Sequence, residues 1–86
     1  MSEQAVRVLI IDDSALVRQA MQEVLESDPG IEVIAAARDP FAAATRLRSR
    51  QPDVIALGEQ VPSIDGNAFL KELLATTPIP VVMCSD

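Results

Sequence analysis

Four short apolar runs punctuate the chain: Val6 with Val8 to Ile11, Ile31 to Ala37, Val54 to Leu57, and Ile79 to Cys84. Each is too short for a buried helix and rich in β-branched residues, the pattern of a strand covered on both faces. The intervening segments carry a helical period instead. After Asp12-Asp13-Ser14, whose short oxygen-bearing side chains suit a helix start, Val17, Met21, Val24 and Leu25 recur on one face. Asp28-Pro29-Gly30 stops that helix. Asp39-Pro40 places a capping carboxylate before a proline at the first helical position, where its missing N–H costs nothing. Phe41, Ala44 and Leu47 form the expected inner face, and Gln51-Pro52 ends the segment. Asp65-Gly66 opens a third helix, with an apolar stripe of Phe69, Leu70, Leu73 and Leu74.

The order βαβαβαβ predicts an α/β fold, a parallel sheet with right-handed crossovers and helices on both faces. Neither a linker nor an internal repeat interrupts it, so residues 1–86 read as one domain. In such sheets ligands gather beyond the carboxyl ends of the strands. The informative positions are therefore Asp12 and Asp13, Gly58 to Gln60, and Ser85. Two adjacent carboxylates repel unless compensated, and Mg²⁺, which prefers carboxylate oxygen, is a natural compensator. The simpler alternative is a helix cap in a favourable carboxylate–dipole arrangement. No Gly-rich loop follows a strand, which argues against nucleotide binding of the Rossmann or P-loop kind.

Composition narrows the classes further. Hydrophobic residues make up 49% of the chain and charged residues 23%, a balance suited to a folded domain. With 13 acids against 7 basic residues the net charge is −6, which argues against a nucleic-acid surface. Four of the basic residues, Arg38, Arg46, Arg48 and Arg50, cluster in and beside the second helix. A solvated helix face explains them more simply than a docking patch. The single cysteine, Cys84, cannot form an internal disulfide and reads as a small buried hydrophobe. No run approaches a membrane span, and the N-terminus has no signal-peptide pattern, so a cytoplasmic protein is expected. The chain contains no histidine, and neither Ser14 nor Ser85 has a partner base for hydrolysis.

Several segments carry a resemblance. Val8-Leu9-Ile10-Ile11-Asp12-Asp13-Ser14-Ala15-Leu16-Val17-Arg18 resembles the opening of a response-regulator receiver domain, most closely that of the chemotaxis protein-glutamate methylesterases. Pro52 to Leu57, Pro62-Ser63-Ile64-Asp65-Gly66 and Pro80-Val81-Val82-Met83 are similar to the same family in the same order. The resemblance implies a flavodoxin-like (CheY-like) doubly wound sheet of order 2-1-3-4, short of the fifth strand and the last two helices. It implies that Asp12 and Asp13 hold Mg²⁺ with the backbone carbonyl of Gln60, and that Ser85 is the switch hydroxyl. The phosphoacceptor aspartate of the family falls on Gly58, and its lysine after the fifth strand has no counterpart. Implied partners are a sensor histidine kinase or chemotaxis signalling proteins.

Glycine can neither attack a phosphoryl donor nor ligate a metal, so phosphoacceptance is expected to be lost and Mg²⁺ binding weakened. Glu59 follows Gly58, but successive strand side chains point to opposite faces. Asp53 lies at the far end of its strand, about 16 Å away at roughly 3.3 Å per residue. Asp65 reads as a helix cap. The expected function is a receiver-like regulatory module without the usual phosphorylation, or else the regulatory N-terminal fragment of a methylesterase whose catalytic domain lies downstream. An open fourth strand is further expected to favour homo-oligomers or a domain swap.

Overall fold

The computed structural model describes residues 5–58, 68, 71–75 and 78–84, Ser49 and Cys84 by their backbone alone. Its elements run β1 (Val6–Ile11), α1 (Ala15–Glu26), β2 (Ile31–Ala37), α2 (Pro40–Ser49), β3 (Val54–Gly58) and β4 (Val81–Cys84). Residues 68 and 71–75 are helical, within the expected third helix. That helix's proposed start at Asp65-Gly66, and Phe69 and Leu70 of its stripe, lie outside the described residues. The strands form one sheet of order β2-β1-β3-β4, every pair parallel.

The strands β1, β2 and β3 feed two cores. Leu9, Ile11, Ile55 and Leu57 point to one face, where Ala37, Ala43 and Ile79 join them under α2. Val8, Ile10 and Ala56 point to the other, where Met21 and Leu25 of α1 pack over them. Helices therefore cover both faces, as the alternation of elements requires. The run Ile31–Ala37 has no clean alternation because β2 changes phase midway. Val8 pairs with Val33 but Leu9 with Ala35, so Ile34 is an extra residue. The slip keeps Val33 and Ala36 on the α1 side and Ala35 and Ala37 on the α2 side.

Several expected inner faces are corrected. On α1, Met21 and Leu25 pack inward, whereas Val17 is exposed and Val24 is 71% exposed. The helix is oriented by its Met21–Leu25 stripe and by Arg18, which reaches back to the carbonyl of Asp12 (2.7 Å); this turns Val24 to the flank. On α2 the buried positions are Pro40 and Ala43, with Leu47 partly buried, a stripe at three- and four-residue spacing. Phe41 lies one position off that stripe and is exposed. The fourth strand begins at Val81 rather than Ile79. Ile79 is nonetheless buried, and the carbonyl of Pro80 accepts from the amide of Ile55 at 2.9 Å. Nor is that strand covered on both faces: Val82 is 54% exposed and Met83 64%.

Candidate functional site at the carboxyl ends of β1 and β3

β1 and β3 are the central strands, paired from Val8↔Val54 to Ile11↔Leu57. The next residues along the two strands are Asp12 and Gly58, so the topology brings both to the carboxyl edge of the sheet. Four contacts fix the chain as it leaves β1. The amide of Asp12 donates to the carbonyl of Ala37 on β2 (3.0 Å), and its own carbonyl accepts from Arg18 Nη1 (2.7 Å). Asp12 Oδ1 accepts the amide of Ser14 at 2.8 Å. Ser14 in turn caps α1, its Oγ accepting the amide of Val17 at 3.2 Å. The cap expected of Asp12-Asp13-Ser14 is thus divided: Ser14 starts the helix and Asp12 secures the turn before it.

The two carboxylates differ sharply. Asp12 is the buried charged residue of the core, 1% exposed, while Asp13 faces solvent. The Asp12 side chain lies against Gly58. A Cβ built on Gly58 would overlap Asp12 Oδ2, and would stand 2.5 Å from Asp12 Cγ and 2.8 Å from Asp12 Cβ. The strand tips approach this closely because residue 58 has no side chain. Gly58 belongs to β3 and is buried, paired with Cys84 of β4. The strand thus runs one residue beyond the apolar run Val54 to Leu57, and in the sequence the glycine is the one local sign of a close approach.

Glu59, Gln60 and Ser85 lie outside the described residues, so the proposed carbonyl ligand and switch hydroxyl do too. Asp53 stands at the opposite, amino-terminal end of β3, as its position in the strand implies. Its Oδ2 accepts the amide of Arg7 (2.9 Å), and its own amide donates to the carbonyl of Arg7 (2.8 Å). Those contacts, the backbone hydrogen bond above all, hold its carboxyl below the ordinary value of 3.8. The arginines beside α2 do not form a common patch. Arg50 pairs with Glu32 at 3.1 Å and Arg38 with Asp39 at 3.6 Å, while Arg46 and Arg48 are exposed on the helix.

As ligands for a hard cation, the described residues offer Asp13, open to solvent, and Asp12, turned inward onto Ser14 and Gly58. Among the described residues no group of three or more Asp, Glu, Cys or His side chains converges on one point. Nor, among them, is any helix long and apolar enough to cross a membrane.

Comparison with known proteins agrees with this architecture. A protein-glutamate methylesterase/protein-glutamine glutaminase of Anaeromyxobacter dehalogenans is 58% identical over 85 residues, covering 99% of this chain and 24% of the relative. A relative of the same description from Rhodospirillum rubrum is 59% identical over 81 residues, covering 94% of this chain and 22% of its own length. The chain thus spans about a quarter of the length of these curated relatives. Among solved structures, the response regulator domain of Thermotoga maritima CheB superposes with a TM-score of 0.80 at 32% identity, over 94% of this chain and 60% of that one. A complex of the P1 domain of CheA3 with CheY6 from R. sphaeroides contains a chain matching with a TM-score of 0.82 at 28% identity, over 95% and 64%. The family model for the response regulator receiver domain matches residues 8–86. With that match, the parallel sheet of order β2-β1-β3-β4 and the acidic residues at its carboxyl edge, the chain belongs to the response regulator receiver family.

Proposed function

We propose that this receiver domain regulates without taking a phosphoryl group at the end of β3. The observation that carries the reading is Gly58. By resemblance it stands where the family's acceptor aspartate stands, and it offers no carboxylate to attack a donor held in line. The neighbouring carboxylates do not replace it: Asp12 is buried and engaged with Ser14, and Asp53 lies at the far end of the strand. The cation site is weakened for the same reason, one ligand being absent and Asp12 turned inward. Mg²⁺ binding is therefore weak and rests chiefly on Asp13, with the Gln60 carbonyl as the family would supply it, while Ser85 stands where the family has its switch hydroxyl. When bound, the cation would draw phosphoryl oxygen toward this edge.

The identity to methylesterases supports a role in chemotaxis signalling, in the cytoplasm, with a sensor histidine kinase or its signalling proteins as partner. The second reading, that these residues are the regulatory part of a longer methylesterase, is favoured by the share of the relatives that the chain spans. A hydrolase domain in the coding sequence after Asp86 would establish it.

The first reading is tested by titrating the chain with Mg²⁺ and beryllofluoride while following backbone amide shifts. Small, non-saturating changes at Asp12, Asp13 and Ser85 are expected. A saturable response at all three overturns the proposal.

A further inference from the structure

We infer that Asp12 and Gly58 form an interlocked pair, in which the strand tips close on each other and the Asp12 side chain fills the space over residue 58. The inference rests on packing and holds whether or not the domain takes phosphate. A Cβ atom makes no hydrogen bond and does not approach a non-bonded heavy atom within 3.0 Å, yet a Cβ on residue 58 would meet three atoms of Asp12 inside that limit. Rotating Asp12 about χ1 would carry Cγ and Oδ2 away but leave Cβ in place. The 2.8 Å approach to Asp12 Cβ would then persist. Any side chain at residue 58 therefore demands two changes: the carboxylate must swing outward, and the tips of β1 and β3 must part.

The surroundings oppose both. Asp12 is tied to β2 through its amide and to α1 through Arg18, so its backbone cannot drift freely. Swinging the carboxylate out would also free the Ser14 amide from Oδ1, loosening the turn that starts α1. On the other side, Gly58 is held in register with Cys84. The pair thus joins three things: the size of residue 58, the direction of the Asp12 carboxylate and the start of α1. In this state the Asp12 carboxylate is folded in over residue 58 and Asp13 faces solvent. Swinging that carboxylate out would expose Asp12 beside Asp13 as a paired anionic site.

The test is a double-mutant cycle on the full chain, using Gly58→Ala and Asp12→Gly. Alone, Gly58→Ala is expected to raise the unfolding equilibrium constant at least about tenfold and to shift the Ser14 amide resonance as its partner leaves. In the Asp12→Gly background, which removes the opposing Cβ and carboxylate together, the same alanine is expected to change that constant by less than about twofold. Equal effects in the two backgrounds, or an unmoved Ser14 resonance in Gly58→Ala, would overturn the inference. Should either single variant fail to fold, the double variant decides: a folded double variant upholds the interlock, and an unfolded one refutes it.

Discussion

The tie between Arg7 and Asp53 shows how much a single exposed carboxylate can do for this sheet. Asp53 receives the amide of Arg7 and faces its guanidinium, whose Nε lies 3.6 Å from Oδ2. Its pKa is lowered in the folded chain, so the unfolded chain binds the proton more readily. The resulting stabilisation is complete above the unfolded value and is lost as pH falls through the lower folded one. Urea titrations below pH 4 are expected to show a shallower acid-induced loss of stability in Asp53→Asn than in the parent chain. Identical slopes would mean that the contact contributes nothing. The effect is small because both side chains are open to solvent. Ser14 offers a larger one: Ser14→Ala removes the cap of α1 and should cost about 1 kcal/mol in chemical denaturation. The cap at Asp39, whose Oδ1 accepts the amide of Ala42, was legible from Asp39-Pro40 alone, because capping needs only local chemistry. The meeting of Asp12 with Gly58 was not, since their distance depends on how two strands 46 residues apart converge.

At the scale of elements, the strands were easier to read than the helix faces. A buried parallel strand announces itself as a continuous apolar run, and the central strands β1 and β3 do so. A helix face depends instead on the angle at which it docks. Val17 and Val24 fit a helical period as well as Met21 and Leu25 do, but the tether from Arg18 to Asp12 and the shape of the sheet select the latter pair. Likewise the small Ala43, not Phe41, meets the sheet under α2. The Ile34 phase change in β2 left no signal in composition. Two substitutions check this packing by denaturation. Met21→Ala is expected to cost roughly 2 kcal/mol or more, as large-to-small changes at packed sites do. Val24→Ser should stay within about 0.5 kcal/mol, as surface changes do. Comparable losses for the two would contradict the observed orientation of α1.

Taken whole, the molecule has the receiver scaffold, and the proposed function separates that scaffold from phosphoacceptance at the end of β3. The parallel sheet was implied by the alternation of elements, and the sheet order, the acidic residues at its carboxyl edge and the family by four resembling segments. Val82 and Met83 are open on a strand that, among the described residues, forms an edge of the sheet. Sedimentation velocity is expected to show self-association of the 86-residue chain, reduced by Val82→Lys; a strictly monomeric parent would contradict this. Phosphoacceptance is decided by intact mass after incubation with Mg²⁺ and a small acyl-phosphate donor, with Gly58→Asp beside the parent chain. No phosphoryl adduct is expected on the parent, whereas the variant gains one once its new carboxylate displaces Asp12. A stable, single phosphoryl adduct on a carboxylate of the parent chain would contradict the proposed function.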